Sequence, residues 1–173
     1  MVDNICTKCG SSPHEVETVY FKENALTSYN NITVNELKIG MKASYSKTCS
    51  VDDVREFGLL SGDVNPVHLD EEYAKNTQFG RCIAHGMYTA ALVSATVALK
   101  LPGPGTIYLG QDMKFRAPVF IDDTITVEME VESVREDKPI VGLKFVCLNQ
   151  DGKKVATGTA VVLAPTEKVT LEV

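Results

Sequence analysis

The feature that most constrains this chain is a change of period at Pro102-Gly103-Pro104-Gly105. Before it, Ile83 to Leu101 is apolar almost all round, which predicts one long helix buried on every side. Two prolines and two glycines stop that helix, and the pattern then alternates with period two. Thr106–Phe115, Asp123–Arg135, Pro139–Asn149 and Lys153–Leu163 read as strands, the last two joined by the hairpin signal Asn-Gln-Asp-Gly. A buried helix followed by a long antiparallel meander predicts an α+β fold with the helix wrapped by the sheet.

Upstream, Ala43 to Thr48 reads as a strand, and Ser50 as the N-cap of a helix with Asp52 and Asp53 in its first turn. Val51, Val54, Phe57 and either Leu60 or Gly58 are its expected inner face. Gly62 breaks it just before Asp63, and Asp70 caps a short helix, Glu71 to Asn76. Residues 1–31 are polar and aperiodic, so they read as an extension of the domain at 32–164, with 165–173 as a tail.

Gly62-Asp63-Val64-Asn65-Pro66-Val67-His68 sets a carboxylate and an imidazole five residues apart around a proline. Pro66 fixes its own φ and pushes Asn65 towards extended backbone, so the stretch is a stiff loop that can aim two proton-transfer groups at one point. The bland alternative is an Asx-Pro turn with a histidine at a helix start. Ala84-His85-Gly86-Met87 opens the long helix, where first-turn N–H groups have no helical partner. A base, an acid and an oxyanion site together suit addition of water to an unsaturated thioester.

With these blocks in view, the chain resembles the MaoC-like, (R)-specific enoyl-CoA hydratases, which have the hot-dog fold. The resemblance spans about residues 32–164. It rests on the 62–70 block, on Ile83-Ala84-His85-Gly86-Met87, on Leu101-Pro102-Gly103 through Ile107-Tyr108-Leu109-Gly110-Gln111, and on Lys114-Phe115-Arg116-Ala117-Pro118-Val119. It implies a long helix held in a curved antiparallel sheet and a homodimer or higher homo-oligomer. It also implies acyl-CoA substrates, with no cofactor beyond the coenzyme A of the substrate; no metal ligand is assigned in the domain. Asp63 and His68 would hold the catalytic water, Asp63 helping to activate it and His68 moving a proton to or from C2, with the two roles open to exchange. Gly86 would offer its backbone N–H to the thioester carbonyl, and Ser94, two turns further along, would support the acid–base pair. Asn65 either positions one of the pair or only satisfies its turn. His85 is placed as a substrate-binding neighbour rather than a base, though a lone histidine at a helix start is usually capped or in the core.

Some residues carry two readings. Lys114, Arg116, Arg81 and Lys100 suit either coenzyme A phosphates or solvent, and Tyr88, Leu92 and Val97 suit either an acyl tunnel or the core. Cys6-Thr-Lys-Cys9 with His14 reads either as half of a zinc site, its fourth ligand coming from Cys49 or a second chain, or as a reduced, mobile tail. Five cysteines and an N-terminus without a basic-then-apolar signal predict a cytoplasmic protein. A net charge of −6 argues against nucleic acid and anionic membrane as partners. The expected activity is reversible hydration to (R)-3-hydroxyacyl-CoA in fatty-acid metabolism or polyhydroxyalkanoate precursor supply. A hot-dog thioesterase and a non-catalytic acyl-CoA sensor are the alternatives.

Overall fold

The computed structural model describes residues 28–172. Cys6, Cys9 and His14 lie outside them, so the reading of that motif is not addressed by the fold. The sheet is antiparallel and five-stranded, built from β2 (Lys42–Thr48), β3 (Ile107–Phe115), β4 (Thr124–Val134), β5 (Ile140–Leu148) and β6 (Lys154–Leu163), in the order β2-β4-β5-β6-β3. The four strands read from period two therefore form within two residues of their expected bounds. The meander is confined to β4-β5-β6. β3 does not neighbour β4, as a full meander requires; it runs along the far edge beside β6, pairing Lys114 with Thr157. That rearrangement lets the two edge strands flank the helix that the sheet embraces.

Alternation explains the core. Ile125, Val127, Met129 and Val131 of β4 and Val141, Leu143, Phe145 and Cys147 of β5 all point inward and are buried. They join Tyr88, Leu92, Val93 and Val97 of the long helix in one cluster, which assigns Tyr88, Leu92 and Val97 to the core. Before the long helix come α1 (Val51–Ser61), α2 (Pro66–Leu69) and α3 (Glu71–Lys75). α1 starts in a reciprocal capping box, Ser50 Oγ accepting the Asp53 N–H at 3.0 Å and Asp53 Oδ2 accepting the Ser50 N–H at 2.9 Å. Its inner face is Val54 and Gly58, with Phe57 half-buried. Val51 and Leu60 face outward instead, Leu60 being 87% exposed, because the turn that packs inward follows the glycine and not the leucine.

The long helix, α4, is Gly86–Leu99, three residues shorter at its start than the apolar run suggests. Ile83 is held extended in a bridge to Phe120, and the Ala84 N–H donates to the Val119 carbonyl at 2.8 Å. Nor is α4 buried all round. Met87, Ala91, Ser94 and Ala98, spaced as one helical face, are exposed, because the sheet covers only the opposite side. Gly103, at φ +95°, passes so close to Asn30 that a Cβ would lie 2.9 Å from its carbonyl oxygen.

The two ends of the described chain close over this turn. β1 (Ser28–Asn30) pairs antiparallel with β7 (Thr170–Glu172). The buried Asn31 amide donates to the Pro104 and Glu167 carbonyls, while Lys168 Nζ reaches both the Asn31 carbonyl and Glu36. Glu36 is pulled from an ordinary 4.5 down to about 2, first by the Thr33 N–H and then by Lys168. A carboxyl held low when folded stabilises fully above its unfolded value, and that contribution fades as pH falls from about 4.5 through about 2. The gap in urea midpoint between the wild type and Glu36→Gln should therefore be present at pH 7 and close on acidification to pH 2; a gap independent of pH would refute the clasp.

Candidate active site

Asp63 follows directly on the αL residue Gly62 (φ 78°), which ends α1 and turns the chain out. Asn65 then caps α2, its Oδ1 accepting the Val67 N–H at 3.2 Å, with Pro66 in the first turn of that helix. The Asn65 side-chain oxygen thus serves the turn. One Asp63 oxygen, Oδ1, accepts the Asn65 N–H at 3.4 Å; the other, Oδ2, lies 4.0 Å from His68 Nε2. The carboxylate is open to solvent, 56% exposed, whereas the imidazole is 10% exposed.

The far side of that imidazole is fixed. His68 Nδ1 lies 2.8 Å from the Ile83 carbonyl oxygen, which can only accept, so Nδ1 carries the proton. In the neutral ring Nε2 is then a bare acceptor aimed towards Asp63. Ile83 holds its carbonyl there because the Ile83–Phe120 bridge keeps it out of the helix.

His85 occupies the N-cap position of α4 but makes no capping bond. Its ring is 2% exposed and lies over that of His68, centroids 3.8 Å apart. Its Nε2 donates to the Asp63 carbonyl at 2.8 Å. The ring is thus buried, with its outer nitrogen bonded to backbone, and it also borders the cavity beside Gly86. Asp63, His68 and His85 set one donor atom each within 4.8 Å of one another. The His85 nitrogen that donates to the Asp63 carbonyl has no lone pair to offer an ion in that state.

Gly86 opens α4, where N–H groups point out of the first turn. The Phe115 ring lies against it, so that a Cβ on Gly86 would be 3.0 Å from Phe115 Cζ. Beside it is a cavity of about 300 Å³ whose lining includes Phe79, Ile83, His85, Thr89, Phe115 and Val155. Ser94 is not brought to the pair within this chain. It lies on the exposed face of α4, lining a groove with Phe57, Tyr108 and Gln111. Arg81 lies over the Phe120 ring at 4.0 Å, and Arg116 Nε donates to Thr157 Oγ1. Burial pushes the Tyr88 phenol upward, the Cys49 thiol up to about 12 and Cys82 up to about 11. None of them competes as a proton carrier near neutral pH.

Residues 33–144 match the family described as MaoC like domain, and the chain belongs to that family. It is 45% identical over 134 residues to an (R)-specific enoyl-CoA hydratase of Aeromonas caviae, covering 78% of this chain and all of that one. It is 41% identical over 130 residues to a 3-hydroxybutyryl-CoA dehydratase of Methylorubrum extorquens, covering 75% and 82% of the two chains. Among solved structures, an unliganded R-hydratase from Pseudomonas aeruginosa superposes with a TM-score of 0.81 at 46% identity, covering 84% of this chain and 94% of that one. The fold is thus the hot-dog fold of R-hydratases, α+β as expected.

The two carbonyl partners dictate opposite tautomers in the stacked rings. Long-range ¹⁵N–¹H correlation spectra at neutral or higher pH should show His68 as the Nδ1–H form and His85 as the Nε2–H form; matching tautomers would contradict this site.

Proposed function

We propose that this protein is a hydro-lyase that reversibly adds water to trans-2-enoyl-CoA, giving (R)-3-hydroxyacyl-CoA. The observation that carries the reading is the facing of Asp63 Oδ2 and His68 Nε2 at 4.0 Å, with the opposite His68 nitrogen pinned as a donor. The relatives' names support the reaction and its hand. A water set to the side of the 4.0 Å line can donate one hydrogen to each acceptor, which turns an oxygen lone pair outward towards C3. As the C3–O bond forms, the water's proton passes to His68 Nε2 and the alkene electron pair shifts onto the thioester oxygen. When the enolate collapses, the Nε2 proton is delivered to C2, so both the hydroxyl and the hydrogen come from one water. Asp63 orients that water and faces the imidazolium formed in passing.

The thioester oxygen carries the charge in this scheme, and the Gly86 N–H at the α4 start stabilises it, a donor of a kind whose loss typically costs about 3–4 kcal/mol of barrier. No cofactor is assigned, coenzyme A being part of the substrate. The exposed α4 face and the half-exposed Ile107 and Leu109 of the edge strand β3 support a homodimer closed over these surfaces. Among the described residues no helix is long and apolar enough to cross a membrane. The reading places the reaction in the cytoplasm, in fatty-acid metabolism or polyhydroxyalkanoate precursor supply.

Purified protein should bleach the conjugated absorbance of crotonyl-CoA or a longer enoyl-CoA and yield the (R)-3-hydroxy product by chiral analysis. Asp63→Asn and His68→Gln should each lower kcat by about 10²–10⁴-fold with an unchanged circular dichroism spectrum. A wild type that hydrates no enoyl chain length, or either variant turning over normally, would remove the mechanism. Separately, Ala91→Arg should convert a sedimenting dimer to monomer, and an unaltered dimer would mean that α4 is not its interface.

A further inference from the structure

We infer that His85 is the positioning residue of this site, acting through its Nε2–H on the Asp63 carbonyl and not through the substrate. The inference rests on the hydratase reading above. Three observations converge on it. The His85 ring is closed in on one side by His68, at 3.8 Å, and on another by Phe57, at 5.1 Å, and it is 2% exposed. Among the described residues the ring's one polar contact is the 2.8 Å bond to the Asp63 carbonyl, and Nδ1 is buried with no partner among them. A buried polar atom left unpaired costs free energy, so a core position that needed only a flat ring would be filled at lower cost by an apolar one.

Asp63 needs such a support. It follows a left-handed glycine at a helix end, its side chain is more than half exposed, and its other local bonds are to Ser61 Oγ and the Asn65 N–H at 3.2 and 3.4 Å. Fixing its carbonyl to a ring that also stacks on His68 ties both members of the pair to one rigid object. The two cannot then drift apart without breaking that bond or that stack.

Gly58 supplies the independent sign. It lies on the buried face of α1, its φ is not positive, and no turn demands a glycine there. A Cβ on it would come 3.3 Å from the Asp63 carbonyl oxygen and 3.6 Å from both Cε1 and Nε2 of His85. A methyl there would touch the His85 ring and press on the Asp63 carbonyl oxygen by a few tenths of an ångström, at the hydrogen bond itself.

The test separates the donor from the ring, using full-length protein and crotonyl-CoA, or the best enoyl-CoA found. His85→Phe keeps a flat ring against His68 and removes the donor; His85→Gln keeps an N–H donor and loses the ring. Thermal midpoints are read alongside. His85→Phe should lower kcat about 10²-fold, the cost of misplacing a reacting group by about an ångström. KM should hold to within about twofold, because no ground-state contact to the substrate is lost. His85→Gln should recover most of that kcat. Gly58→Ala, which raises helix propensity and so protects folding, should also lower kcat with KM held.

Wild-type-like kcat in His85→Phe, equal losses in the Phe and Gln variants, or a change confined to KM would each overturn the inference. If His85→Phe does not fold, Gly58→Ala decides, and normal kcat there overturns it. A wild type inactive on every enoyl-CoA would instead sink the hydratase reading on which the inference stands.

Discussion

The hydrogen bond from the Ala84 N–H to the Val119 carbonyl, with the Ile83–Phe120 bridge beside it, decides where the long helix begins. Propensity and hydrophobicity alone allow α4 to start three residues earlier. Had it done so, the Ile83 carbonyl would be spent on an intrahelical bond and could not hold His68 Nδ1. His85 would project from a helical turn instead of lying across His68, and Gly86 would be an interior residue with a used N–H. A short stretch of strand-like pairing thus keeps a carbonyl, a ring and a helix start available together. The segment that supplies it, Ala117 to Phe120, follows the edge strand β3, so the sheet and the site are set by one piece of backbone.

Much of this was legible in the residues. Ser50 with Asp53 three positions on gives the α1 start, Gly62 its end, and the Asn149–Gly152 turn the β5–β6 hairpin, because each depends on local backbone chemistry. The proline between Asp63 and His68 limits their loop to few shapes, but the spacing alone suits a plain Asx-Pro turn equally, and it was the resemblance of the other blocks that made them a pair. What escaped depends on partners distant in sequence. Nothing within Thr106–Phe115 says that β3 runs beside β6 instead of β4. Nothing in an apolar run says that its first two residues will be claimed by residues 119 and 120. The bond from His85 could not be read locally either, since its partner, Asp63, is 22 positions away. Gly58 was the one local signal, a small residue on a buried helical face, and it gains meaning only once His85 is known to face it.

The apolarity of α4 was read as burial on every side, and one face proved open. The two are reconciled if burial is counted over an assembly, since Met87, Ala91 and Ala98 are residues that a soluble surface seldom gathers into a stripe. Ser94 lies in that stripe, away from Asp63 and His68 of its own chain, so its bearing on the site is a question about neighbouring chains as much as about this one.

The pairing of Ser28 with Glu172 has an architectural consequence. The two ends of the described chain are one strand spacing apart, on the side of the domain closed by Asn31 and Lys168. In a variant without residues 1–27 and 173, a linker of a few residues would therefore join them without crossing the core, and the chain could be reopened at the exposed Asp151–Gly152 turn between β5 and β6. Such a circular permutant would keep every strand pairing of the five-stranded sheet while moving the termini to a hairpin tip. The order of elements along the chain is to that extent separable from the arrangement that sets Asp63 against His68.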